Sequence, residues 1–384
     1  MRDQIDNFRR KMIADRSATP DGIAFAVQDD ELITVGESGL AGLSGEVLSS
    51  LTCLALVAAR PSLPFADFLV ARMEAGADRI EPSDTETRTF LHDIPFLRRA
   101  ELAQDPATRI AALLANRKGV VAEGLGIVAT GTITVEQAFI NYSSVFHSTF
   151  VKYLGDLLNS GFLLPGEREA FEVFRRDWLR PLTAAGLAFR ERLDDPETII
   201  AELAAVGRYT VERGLVDSFF GNISCRLGDT IHISQTASSL DELSGCIDPV
   251  PMDNSSTCGI TASSELLAHR KIYEATGARV ILHGHPKFAV VMSMVCEEEQ
   301  CAVTDCWRDC AKVRFLGDTP VVAGEIGAGG LAKRVPPVIG RTGGAVVFGH
   351  GVFTIGNDFG EAFRTLVEVE NWCREEYLRR LDAR

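Results

Sequence analysis

The side chains best placed for chemistry are His283 and His285, one residue apart at the end of the apolar run Ala278-Arg279-Val280-Ile281-Leu282. Val280 to Leu282 read as a strand, and side chains alternate faces along a strand, so the two imidazoles point the same way. Such a pair can share a divalent ion, zinc–nitrogen distances being roughly 2.0–2.1 Å, or can simply be hydrogen-bonded at a strand end. A third ligand decides between the two. His350 is the candidate, at the end of the apolar stretch Gly344-Ala345-Val346-Val347-Phe348, with Gly349 and Gly351 on either side to let the chain turn and a ligand approach. Three histidines leave one coordination position open, which is the catalytic rather than the structural pattern for zinc.

The elements that must hold these histidines occur twice. At 384 residues the chain is too long for one ordinary core, and two domains are expected. Asp93, Pro95, Ala107, Arg109, Gly119 and Val121 recur 225 residues later as Asp318, Pro320, Ala332, Arg334, Gly344 and Val346. Gly124, Gly126 and Gly131 recur as Gly349, Gly351 and Gly356, and Pro61 as Pro286. Glycine and proline fix turns and close approaches, so a constant offset between them marks an internal duplication. In the first copy, residues 1 to about 21 read as a polar helix followed by a turn at Thr19-Pro20-Asp21-Gly22, before a strand from Ile23 to Val27, a Gly-rich stretch from Gly36 to Gly45 and an apolar run from Val47 to Ala59. A helix from Val135 to Leu158 sits where Gly360 to Leu381 sits in the second copy. The second copy opens with a helix from Glu197 to Gly214 and a loop at Phe220-Gly221-Asn222-Ile223-Ser224. The expected division is residues 1–158, a helical connector over 159–195, and 196–384.

Gly221-Asn222-Ile223-Ser224, Ser263-Ser264-Glu265, His283-Gly284-His285 and Gly349-His350-Gly351, in that order and spacing, resemble the class II aldolase/adducin family over residues 196–384. The resemblance implies an α/β fold, a three-layer α/β/α domain around a mainly antiparallel sheet, duplicated here with a degenerate first copy. It implies zinc, or another divalent ion, on His283, His285 and His350, and sugar phosphates as substrates. Asn222, Thr236, Ser263 and Ser264 match the positions that hold the substrate phosphate, a task neutral donors perform well. Ser263 and Ser264 also suit an N-cap before a helix from Glu265 to Tyr273. Glu265 matches the general base, which removes a proton beside a carbonyl. Glu rather than Asp at this position points away from the epimerase branch. Ala237 stands where glycine is usual, Ala262 where proline often precedes the serines, and Gly284 where threonine is common. No tyrosine lies between His285 and His350, where the aldolases carry a proton donor. The resemblance implies a zinc-dependent aldolase cleaving a small phosphorylated ketose through a metal-stabilised enediolate. Dehydration or decarboxylation of a sugar phosphate is the alternative among enzymes, and a non-catalytic, metal-stabilised binding or regulatory module the alternative of another class.

At the offset of 225, His283, His285, His350 and Glu265 fall on Ala58, Arg60, Leu125 and Leu40, which makes the first copy a pseudo-domain. Family sites lie at subunit interfaces of fourfold tetramers, so a homodimer of two-copy chains that imitates the ring is expected. Cys296, Cys301, Cys306 and Cys310 fall within fifteen residues, where a second metal or an iron–sulfur cluster competes with unligated thiols or a disulfide. Their spacing matches no usual ligand pattern. A formal net charge of -14 argues against nucleic acid and anionic lipid as main partners. No apolar run is long enough to span a membrane. Met1 to Asp6 lacks the layout of a signal peptide, and a cytoplasmic location is expected.

Overall fold

The structure, a computed structural model, describes residues 1–217, 219–298, 301–324 and 328–384. The chain forms two compact units, Met1–Arg180 and Pro181–Arg384. Among the described residues no helix is long and apolar enough to cross a membrane.

The first unit is built on strands β1 (Ile23–Gln28), β2 (Leu32–Gly36), β3 (Ala55–Ala59), β4 (Arg79–Ile80), β5 (Ile94–Leu97), β6 (Gly119–Ala122) and β7 (Gly126–Gly131). They form one sheet in the order β2-β1-β3-β7-β6-β5-β4. All neighbours are antiparallel except β5 and β6, which are parallel. On one face, Ala24, Ala26, Leu56, Ala58 and Val128 pack against Leu40 and Leu48 of the helix Ser38–Ser49 and against Ile110 and Leu114 of the helix Pro106–Leu114. The helix Val135–Ser160 also lies against β3 and β7. The segment leading into the helix Glu167–Trp178 is fastened to this unit by a buried pair, in which Arg72 donates to both Glu167 oxygens at 2.8 Å while Glu167 also accepts from the Leu163 and Leu164 amides.

The second unit holds β8 (Asn222–Leu227), β9 (Thr230–Ser234), β10 (Ile247–Pro251), β11 (Val280–Gly284), β12 (Arg314–Leu316), β13 (Thr319–Val322), β14 (Gly344–Val347) and β15 (Gly351–Gly356). Their order is β10-β9-β8-β11-β15-β14-β13-β12, with only the β13–β14 pair parallel. Val280, Ile281 and Leu282 are β-branched or aliphatic and wholly buried on both faces, as the central strand of a covered sheet requires. Ile281 joins Ile272 and Tyr273 of the helix Leu266–Thr276 and Leu331, Val335 and Ile339 in one apolar layer. The helix Phe359–Asp382 packs against β11 and β15. Leu182 is tied to that helix by paired bonds with the Asn371 amide, at 2.8 and 2.9 Å, so the chain after residue 180 belongs to this unit.

The two sheets agree in register as well as in order. Ala55 pairs with Gly131 as Val280 pairs with Gly356, Gly119 with Ala129 as Gly344 with Thr354, and Val121 with Phe96 as Val346 with Val321. Every one of these correspondences keeps the 225-residue offset, and the chain thus carries two copies of one three-layer fold. The segment read as a loop around Asn222 is a difference: β8 begins at Asn222, because its backbone finds a partner in His283 of β11.

Candidate active site

His283 is the fourth residue of β11 and shares a face with Ile281, toward the helix Leu266–Thr276. His285 follows just beyond the strand. His350 is delivered by the tight turn between β14 and β15, where its amide bonds Val347 O at 3.1 Å and Gly349 takes a φ of +61°. The three imidazoles meet in the interior. His283 Nε2 lies 2.9 Å from His285 Nε2 and 3.2 Å from His350 Nε2, and the three residues are 0, 2 and 8% exposed. Phe353, the cross-strand neighbour of His283, stacks on its ring at 3.9 Å between centroids.

Glycines set how closely these elements approach. A Cβ on Gly221 would stand 2.4 Å from the carbonyl oxygen of His283, and its φ of +73° is left-handed, so only glycine lets the chain turn there into Asn222. A Cβ on Gly351 would stand 2.5 Å from Gly284 O, 2.7 Å from a carbon of the His285 ring and 2.9 Å from one of His283. Ala237 holds a φ of +59°, so this alanine occupies a conformation that favours glycine.

The donor set fits a divalent cation. His283 Nδ1 lies 3.0 Å from Val352 O, a pure acceptor, so that nitrogen carries the hydrogen and Nε2 presents a lone pair inward. Zinc held at the usual distance in a tetrahedron would put its nitrogens roughly 3.3 Å apart. The spacings here come close to that edge, and three ligand atoms all lie within 4.8 Å of one another. Burial pushes the His283 imidazole down to about 4, with Glu265 pulling the other way. A neutral imidazole is the ligating form.

Glu265 completes the cluster. Its Oε1 is 3.2 Å from His350 Nε2 and its Oε2 is 3.4 Å from His283 Nε2. Asn222 Nδ2 donates to Oε2 at 2.8 Å. Burial would raise this carboxyl, but the His283 and His350 imidazoles when protonated, together with the Asn222 amide, outweigh it and hold it well below the usual carboxylate range. Glu265 is the N-cap of its helix; Ser263 is buried, its Oγ accepts from the Glu265 amide at 3.3 Å, and Ser264 is exposed. Thr236 joins this neighbourhood, its amide bonded to Thr261 O and its hydroxyl donating to Ala262 O, while the Ser263 amide bonds Ser234 O. Asn222 thus reaches the carboxylate, and Thr236 and Ser263 gather at the start of the same helix.

Cys296 and Cys301 are exposed, Cys306 and Cys310 half-buried, and none is in a disulfide. Burial raises the Cys306 thiol, with Cys310, Cys296 and Cys301 adding to it. Among the described residues the histidine triad is the only group of three ligands that close together, and the four cysteines do not form one. Three further polar residues also belong here: Ser224, the last residue of the first motif, and His269 and Tyr273, both hydrogen-bonded to it and all buried. The spacing of Glu265, His269 and Tyr273, four residues apart on one helix face, was the signal that could have found two of them.

Helices layered on a mainly antiparallel sheet, with a triad of histidines beside a carboxylate, characterise the second unit, and sequence comparison identifies its family. The profile of the Class II Aldolase and Adducin N-terminal domain matches residues 201–377. The chain belongs to the class II aldolase and adducin family. It is 30% identical over 188 residues to a methylthioribulose-1-phosphate dehydratase of Gluconobacter oxydans, which covers 44% of this chain and 86% of that protein. It is 29% identical over 194 residues to the protein of the same name from a Bradyrhizobium species, covering 45% and 87%. Among solved structures, an L-fuculose-1-phosphate aldolase from Thermus thermophilus aligns with 48% of this chain and 95% of its own, at 23% identity and a TM-score of 0.40.

Proposed function

We propose that the second unit is a divalent-metal lyase that removes water from a small phosphorylated ketose of the 1-phosphoribulose type. The carrying observation is the Glu265 carboxylate within 3.4 Å of two of three converging histidine nitrogens, a base beside a Lewis-acid site. A cation on His283, His285 and His350 would supply stabilisation of negative charge on a substrate oxygen. Glu265 Oε1 takes the proton from the carbon beside the ketone; the C–H electron pair forms a C=C bond, and the C–O bond to the neighbouring hydroxyl breaks. Glu265 returns its proton to that leaving oxygen, water departs, and the enol product becomes a diketone. Asn222, Thr236, Ser263 and Ser264 are proposed to hold the phosphate through neutral donors at the start of the helix Leu266–Thr276.

Dehydration is favoured over aldol cleavage by the missing tyrosine and by the names of the relatives. Cleavage takes a proton from a hydroxyl of one fragment and delivers one to a carbon of the other, which asks for a second proton-transfer group. Dehydration asks for one carboxylate. Zinc-loaded protein given methylthioribulose 1-phosphate should release the diketone and no dihydroxyacetone phosphate; the reverse result makes it an aldolase. Glu265→Gln should lower kcat by roughly 10²–10⁴-fold while metal content stays at that of the parent. A protein that binds metal and phosphorylated ketoses, and whose binding is indifferent to E265Q with no turnover, is a binding module instead. The proposed assembly is a homodimer, and a monomeric mass by light scattering overturns it.

A further inference from the structure

Behind Glu265 runs a chain of buried polar side chains, and beyond Asn222 this chemistry uses none of them. Asn222 Nδ2 donates to Glu265 Oε2 at 2.8 Å, Asn222 Oδ1 lies 2.5 Å from His269 Nε2, His269 Nδ1 lies 2.7 Å from Ser224 Oγ, and Ser224 Oγ lies 2.7 Å from the Tyr273 hydroxyl. His269, Ser224 and Tyr273 are wholly buried and Asn222 is 6% exposed. The direction of every bond follows from its chemistry. An amide oxygen only accepts, so His269 Nε2 carries the hydrogen. Burial pushes the His269 imidazole down to about 3, so it is neutral and its Nδ1 is a bare acceptor. Ser224 must then donate to Nδ1, and Tyr273 must donate to Ser224. All four bonds point toward the carboxylate.

The Asn222 amide is the weak link in such a chain, because its oxygen and its NH2 have nearly the same shape and turning it over costs little sterically. Turned over, it would set an oxygen against the Glu265 carboxylate. The Glu265 carboxylate rejects that orientation, and His269 protonated at Nε2 reinforces the choice, since its N–H donates to the amide oxygen and accepts nothing from the NH2.

The first unit is an internal control. Asn222 pairs with His283 as Ala24 pairs with Ala58, and Ser224 pairs with Ile281 as Ala26 pairs with Leu56. At the 225-residue offset Glu265, His269 and Tyr273 fall on Leu40, Ser44 and Leu48. The chain of five therefore becomes Leu40, Ala24, Ser44, Ala26 and Leu48, all buried, and Ser44 Oγ makes no hydrogen bond among the described residues. The same layer folds without the network, so folding is not what the network is for.

We propose that His269 is a positioning residue: through the Asn222 amide it ties down Glu265 Oε2 and leaves Oε1, beside His350, as the oxygen that takes the proton. The kinetic part of this proposal rests on the lyase function above; the hydrogen-bond order does not. In the full-length, metal-loaded protein, His269→Leu should lower kcat roughly 10–100-fold, as a misplaced catalytic group does, with KM within about twofold. Metal content should stay at that of the parent. His269→Gln can donate to the Asn222 oxygen and should recover most of the loss. Equal losses in both variants, or a loss that tracks metal content, overturn the proposal. Nitrogen-15 spectra of histidine-labelled protein read the order directly: the signal absent from H269Q should be a neutral imidazole protonated at Nε2. A proton on Nδ1 overturns the proposal. Should the wild type turn over no ketose phosphate, the lyase function fails, and these spectra still decide the orientation of the chain.

Discussion

Strands β3, β5, β6 and β7 match β11, β13, β14 and β15 at one constant offset, yet one layer is apolar in the first unit and polar in the second. The match is enforced by backbone. A Cβ on Gly126 would stand 2.2 Å from Ala59 O, and one on Gly351 would stand 2.5 Å from Gly284 O, at equivalent points of the two sheets. Both copies keep this glycine because the approach of the strands demands it. Where the first copy buries Ala58, Leu40, Ala24 and Leu48, the second buries His283, Glu265, Asn222 and Tyr273, or nearly so. Buried polar groups cost stability unless they are paired, and the apolar copy shows that the architecture does not need them. The contrast separates what the fold requires from what the chemistry requires.

The sharpest way to break the comparison is His283→Ala, which copies Ala58. Metal should be lost and activity should fall about a thousandfold, the equivalent of about 4 kcal/mol of transition-state stabilisation. The thermal midpoint of the metal-free variant should stay within about 5 °C of the metal-free parent. A collapse of the metal-free fold would show that the histidine is structural after all. Next in size, Gly126→Ala and Gly351→Ala should each cost about 2–3 kcal/mol in chemical denaturation, the usual penalty of overpacking. Only Gly351→Ala should also weaken metal binding, because its new Cβ meets the His283 and His285 rings.

A smaller effect is expected from pH. His269 has a folded value of about 3, below the ordinary histidine value of about 6.5. Between those values the unfolded chain binds a proton that the folded chain does not, so stability falls as pH falls through this window. Metal-free protein should lose on the order of 1 kcal/mol between pH 6 and pH 5 from this residue. His269→Ser, which copies Ser44, should flatten that slope in urea titrations. Smallest of all, Ser44→Ala should leave activity unchanged and raise stability by up to about 1 kcal/mol, since the hydroxyl it removes is buried without a partner among the described residues. A loss of activity there would mean that the first copy retains a polar function.

Much of the frame was legible in the order of residues. The run from Ile23 to Val27 reads as strand because its residues suit a pleated, buried surface, and the glycines from Gly119 to Gly131 announced the register of three strands through their repeat. The Gly-rich stretch from Gly36 to Gly45 gave no sign of its helix, because Gly39, Gly42 and Gly45 lower helix propensity while the chain forms the helix Ser38–Ser49. Glu37 caps it, accepting from the Gly39 and Leu40 amides, and a Cβ at Gly45 would come within 3.0 Å of Thr34, so tertiary packing overrode local preference. At the site, residue types were visible but partnerships were not. Asn222 suggests a phosphate ligand by its motif, and its bond to Glu265 exists only because β8 lies beside β11. Ser224 and Tyr273 meet across 49 positions of sequence, a pairing that no local pattern encodes.

Gly126 has a consequence for engineering. By keeping the close approach to Ala59, the first copy has preserved the floor of a site whose furniture is gone, with strand register intact. Ala58→His, Arg60→His and Leu125→His, together with Leu40→Glu and Ala24→Asn, would therefore be a transplant into a matched frame rather than a new design. Two bound ions per chain, in place of one, would mark its success.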